Sequence, residues 1–121
     1  MSPRDWQERI QDILEAIAEI QAFTRGMDFD AFRTDAKTLR AVELDFIVIG
    51  EAANQIPDEV EEVHTQVPWT LMRAMRNRLV HVYFSVAEHL LWGYCSERFA
   101  GPGLRVATSL ALILIHSGAD F

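Results

Sequence analysis

A chain of 121 residues, half of them apolar, can build one hydrophobic core but not two, and its six glycines and four prolines are too few for a disordered polymer. The formal net charge of −7 excludes indiscriminate nucleic-acid binding, so any contact with a polyanion must be local. Cys95 is the single cysteine, which excludes an intrachain disulfide and suits a reducing compartment; MSPRDWQER at the start has no apolar signal core, so the expected location is the cytoplasm.

Taken in order, Ser2 is placed to cap a helix, Pro3 to open it and Asp5 to sit in its first turn. Trp6, Ile10, Ile13, Leu14, Ile17 and Ile20 recur at three- to four-residue spacing, with Glu8, Asp12, Glu15 and Glu19 on the other side, until Gly26 stops the helix. Met27–Thr34 reads as a short connection with about one helical turn, pinned to the core by Phe29 and Phe32. Asp35 can cap a second long helix, Ala36–Gln55, ending before Pro57. Its stripe is Leu39, Val42, Phe46, Ile49 and Ala53; Leu44, Ile47 and Val48 widen it, so burial on more than one side is expected. Glu51 follows Gly50 and precedes two alanines, where helices can approach closely. Two readings stand there: a carboxylate partnered by an arginine from farther along, or a solvent-exposed glutamate.

Pro57–Gln66 is acidic, a short helix or a loop, and contains Glu61-x-x-His64. A carboxylate-bridged di-iron bundle needs two such motifs and two further glutamates, and Glu88-His89 has the wrong spacing for the second, so neither a metal nor another cofactor is expected. Pro68 opens the next helix and Trp69 anchors it. Between Glu62 and Glu88 there is no acid, while Arg73, Arg76, Asn77, Arg78, His81 and Tyr83 fall within that window. Ten arginines against one lysine, Lys37, favour the planar fork that holds phosphate bidentately. At 100° per residue, Leu71, Met75, Leu79 and Val82 form an inward stripe, and Arg73, Arg76, Asn77, His81 and Tyr83 take the remaining arc together with apolar Val80 and Phe84. Ser85, with Glu88 three residues on, can start another helix, Val86–Phe99.

Arg76-x-x-x-x-His81-x-Tyr83, with Asn77 after the arginine, resembles the signature of HEPN-domain ribonuclease toxins of the HepT kind. FTRGMDFDAF at 23–32, IGEAANQIP at 49–57 and VPWTLMRAMRNRLVHVYF at 67–84 carry the same likeness, which covers about residues 4–95. It implies an all-α, up-and-down HEPN-like bundle of four to five helices in one domain over 1–121, dimeric, and a metal-independent ribonuclease. It also implies pairing with a minimal nucleotidyltransferase antitoxin that adenylylates Tyr83.

After Trp92 the text departs from that family, and 96–121 reads as an atypical apolar tail. Gly101-Pro102-Gly103 is a breaker, and Leu110–Ile115 is an apolar run too short to span a bilayer, so the tail is expected to pack on the bundle or on a partner. A shifted reading frame is one hypothesis, since codons permitted for Glu97–Gly103 can spell Ser-Asp-Leu-Pro-Gly-Leu one base later; an early stop in that frame of the gene would exclude it.

The residues suit RNA cleavage in which the substrate's own 2′-OH attacks phosphorus, a reaction needing a proton carrier and positive charge but no protein nucleophile. His81 is the candidate for the first and Arg76 for the second, with Asn77 orienting phosphate or imidazole, Arg73 and Arg78 guiding the backbone, and Glu51 as supporting carboxylate. The alternative is a non-catalytic helical subunit that holds RNA or nucleotide for a nucleotidyltransferase.

Overall fold

The computed structural model describes residues 3–81, 88–95 and 103–118. Among them are seven helices and no strand. The four long ones are α1 (Pro3–Thr24), α3 (Ala36–Ala53), α5 (Trp69–His81) and α7 (Gly103–Gly118), joined by three six-residue helices, α2 (Phe29–Thr34), α4 (Asp58–Val63) and α6 (Glu88–Gly93). The all-α expectation holds. The count exceeds four to five because the connections themselves coil into single turns.

Helix α1 ends as its sequence dictates. Thr24 Oγ1 donates back to the Ile20 carbonyl at 2.7 Å, and Gly26 takes φ +76°, a left-handed conformation that a Cβ would strain. Its inward face is Ile10, Ile13, Ala16, Ile17 and Ile20, each no more than 2% exposed. Burying one such isoleucine stabilises the fold by roughly 1.5–3 kcal/mol. The chain then turns through α2, where the Asp28 carboxylate accepts from Ala31 N at 2.8 Å and Phe32 enters the core. Phe32 meets Trp92 of α6 with ring centroids 5.1 Å apart; Phe29 is only partly buried. Asp35 caps α3 as expected, accepting from Thr38 N at 3.1 Å, and hydrogen bonds from the Thr38 amide and hydroxyl hold its carboxyl below the usual range.

Helix α3 is the middle of the fold, packed by α1 and by α5, while α7 lies on α1. Its buried arc is Leu39, Val42, Asp45, Phe46, Ile49, Gly50, Ala52 and Ala53. The expectation that Leu44 joins the core is corrected here: it is 60% exposed, on an outer arc with Arg40, Ile47, Val48 and Glu51. Helical phase puts these five within about 100° of one another and away from α1. Asp45, one residue on, falls inside instead. It is the single buried charged residue among the described ones.

The tail forms a real helical layer. Leu110 and Ile113 of α7 are buried, whereas Leu112 and Ile115 remain exposed. Ser85, the expected start of the next helix, and the Gly101-Pro102 breaker lie outside the described residues.

Candidate active site

Helix α5 owes its anchoring to Trp69, which is 5% exposed and whose Nε1 donates to the His64 carbonyl at 2.9 Å. Trp69, Met72, Met75 and Leu79 are its buried residues. This rotates the inward stripe from the one expected, because Met72 takes the core position and Leu71 is only partly buried. Val82 lies outside the described residues. The rotation leaves Asn77, Arg78, Val80 and His81 exposed, with Arg73 and Arg76 on the flank facing α3 and α4.

The α3–α5 contact is closest at Gly50. A Cβ there would overlap Arg76 Cβ and stand 2.8 Å from the Met72 carbonyl oxygen and 2.9 Å from Arg76 Cγ. Glycine is therefore a condition of this crossing, and the crossing fixes the root of the Arg76 side chain. From there the Arg76 guanidinium reaches Glu51, the next residue of α3, through an Nε–H to Oε1 ion pair, and donates from Nη1 to Asn77 Oδ1 at 2.9 Å. Both readings of Glu51 are thus partly right: it has the arginine partner, and its side chain is 47% exposed. Such a half-exposed pair contributes at most about 1 kcal/mol to stability, so its interest lies in geometry.

Arg73 is engaged in the same manner. It forms an ion pair with Glu61 of α4 and donates to the Ala53 carbonyl at 3.5 Å, at the C-terminal end of α3. Glu61, read in the sequence with His64 as half of a metal motif, is used as an arginine partner. The window that is free of acids along the chain is not free of them in space, since Glu51 and Glu61 arrive from other helices. Arg78 is exposed and makes no ion pair among the described residues. His81 closes the described part of α5, one turn beyond Asn77 on the same face and exposed to solvent. Tyr83 and Phe84 lie outside the described residues.

The model of the family described as HepT-like ribonuclease matches residues 13–106, a span that holds every residue named at this site. The chain belongs to the HepT-like ribonuclease family. Within it, the chain is 40% identical over 94 residues to a protein of Thermococcus cleftensis named a probable ribonuclease HepT, covering 78% of this chain and 86% of the relative. Two putative RNases of Methanocaldococcus jannaschii are 38% and 35% identical, over 76% and 80% of this chain and 76% and 89% of theirs. No solved structure matches. The HepT-like match reaches residue 106, farther than the likeness at 4–95 read from the sequence, and so enters the first turn of α7.

Two features of this HepT-like site were at best partly legible in the linear text. Glu61 as the partner of Arg73 could have been suspected only from its position just before the arginine helix. Gly50 carried a signal, a glycine inside a strongly helical stretch, but not the identity of the side chain it admits. No helix of the described residues is long and apolar enough to cross a membrane.

Proposed function

We propose that this chain is a metal-independent ribonuclease whose reacting group is His81 and whose phosphate ligand is Arg76. The observation that carries the reading is the succession along α5: Arg76 held by Glu51 and Asn77 on the flank toward α3, with exposed His81 one turn beyond Asn77. In the reaction the substrate 2′-oxygen bonds to the adjacent phosphorus and the bond from phosphorus to the 5′-oxygen breaks. The products are a 2′,3′-cyclic phosphate and a 5′-hydroxyl. The 2′-OH proton passes to a neutral imidazole, and a protonated imidazole supplies one to the leaving 5′-oxygen. Arg76 and the Asn77 amide meet the charge that builds on the phosphorane oxygens. Arg78 follows the RNA backbone, joined by Arg73 when phosphate displaces Glu61.

One copy offers one histidine, and the two proton transfers use two. A two-fold homodimer bringing two α5 helices together supplies both, and exposed Val80 beside His81 gives apolar surface for it to cover. The proposed partner in the cell is a minimal nucleotidyltransferase antitoxin that silences the toxin by adenylylating Tyr83. The added AMP would place a bulky anion next to His81 and repel RNA.

The test is cleavage of a tRNA or total RNA pool by wild type and His81→Ala in EDTA, with end-group analysis and the oligomeric state measured alongside. Cyclic-phosphate ends that vanish in the variant at unchanged dimer content support the reading. Equal cleavage by both proteins refutes it, and two folded, inert proteins favour the non-catalytic subunit.

A further inference from the structure

We infer that Glu51 is a positioning residue that trades RNA affinity for alignment of the phosphate-binding groups, an inference that rests on the cleavage reading above. Its basis is the donor arithmetic of the Glu51–Arg76–Asn77 chain. Arginine has only donors, five N–H bonds in a fixed plane. Glu51 takes the Nε hydrogen and Asn77 Oδ1 takes one from Nη1, so both Nη2 hydrogens and the second on Nη1 remain for a phosphate. The plane of the fork is set at two points, by a carboxylate from α3 and an amide from α5, before any substrate arrives.

The same chain dictates what Asn77 can do. Because Arg76 can only donate, the amide oxygen of Asn77 must be the end facing it, and the NH2 group is the end left over. Asn77 therefore presents a donor to the open side of the site, suited to a phosphoryl oxygen. Without Glu51 the guanidinium is free to swing about its Nε, and the Asn77 amide loses the neighbour that decides which way it points. Gly50, packed against Arg76, leaves the arginine stem no room to compensate by shifting toward α3.

The cost is electrostatic. Glu51 is a carboxylate, 47% exposed, placed beside the group that must bind a polyanion. It repels the RNA backbone and neutralises part of the charge on Arg76 in every state of the reaction. A residue kept merely to hold the fold together would not separate the two kinetic constants, whereas this arrangement does. The acceptor oxygen serves kcat, and the negative charge raises KM.

Glu51→Ala and Glu51→Gln, assayed on a short single-stranded RNA with melting temperatures recorded in parallel, divide these roles. Expected for Glu51→Ala is a kcat about 100-fold lower, the loss typical of a misaligned catalytic group, together with a KM about 2- to 5-fold lower. Glu51→Gln keeps an acceptor for Arg76 Nε without the charge. It is expected to hold kcat within about 10-fold of wild type and to show the same lowered KM. Wild-type kcat in both folded variants overturns the inference, as does loss of activity in step with melting temperature at constant KM. His81→Ala runs in the same series: if it is inactive while Glu51→Ala matches wild type, the positioning role alone fails. If His81→Ala cleaves normally, both it and the cleavage reading fail.

Discussion

Replacing Asp45 by asparagine should make this protein more stable at alkaline pH and leave it unchanged in acid. Asp45 lies on the buried arc of α3, 5% exposed, with no hydrogen-bond partner for Oδ2, and its carboxyl shares a hydrogen bond with that of Glu19 on α1. Burial first, then the hydrogen bond and charge of Glu19, push its pKa from 3.8 up to about 7. The folded state therefore holds a proton that the unfolded chain has released between about pH 4 and pH 7. The stability this group contributes is complete below about pH 4, falls as pH rises through that window, and is lost above about 7. Moving from 3.8 to about 7 corresponds to ~4 kcal/mol at ~1.4 kcal/mol for each tenfold step. Because Glu19 is exposed and water can relax around it, a penalty on the order of 2–4 kcal/mol is the expectation at pH 8. An asparagine at this position would be neutral throughout, close to the same shape, and able to donate to Glu19 from its amide. Urea unfolding of wild type and Asp45→Asn from pH 4 to 8 measures it. The wild-type curve should fall away from the variant's by that amount, and the difference between the two cancels the general self-repulsion of a chain with net charge −7. Parallel curves across the range would refute the reasoning.

Three other outcomes follow from the packing and the charges. Gly50→Ala forces α3 from α5 at Arg76 and should cost about 3 kcal/mol, read as a melting temperature lower by roughly 10 °C, with activity reduced even in the folded fraction. Leu110→Ala should cost about 3 kcal/mol in chemical denaturation, because Leu110 is fully buried, while Leu112→Ala, at a site 48% exposed, should stay within about 0.5 kcal/mol; equal effects would detach α7 from the core. Arg78→Ala should weaken single-stranded RNA binding and flatten the dependence of log K on log salt by about 0.7, the value of one released counterion, and an unchanged slope would remove Arg78 from the RNA path.

Much of the helical framework was legible in the linear text because its causes are local. Pro3, the isoleucines of α1, Gly26, Asp35 and Pro68 act through backbone preference, capping and a 3.6-residue period. Each therefore announces a start, a face or a stop without reference to the rest of the chain. The Arg76, Asn77 and His81 arrangement was equally visible, since one helix carries all three. What could not be read was the phase of burial to within one residue, so Leu44 and Leu71 were expected inside while Met72 and Asp45 took those places. Nor could the text show that Glu61 would cross to Arg73, or decide between the two readings it left for Glu51. Glu51 precedes Arg76 by 25 residues and Glu61 precedes Arg73 by 12, and both pairs exist only because α4 and the Gly50 crossing bring separate helices together. Periodicity encodes which way a helix faces on average, whereas an ion pair or a buried carboxyl depends on ångström-scale distances between elements, and those arise only when the helices pack.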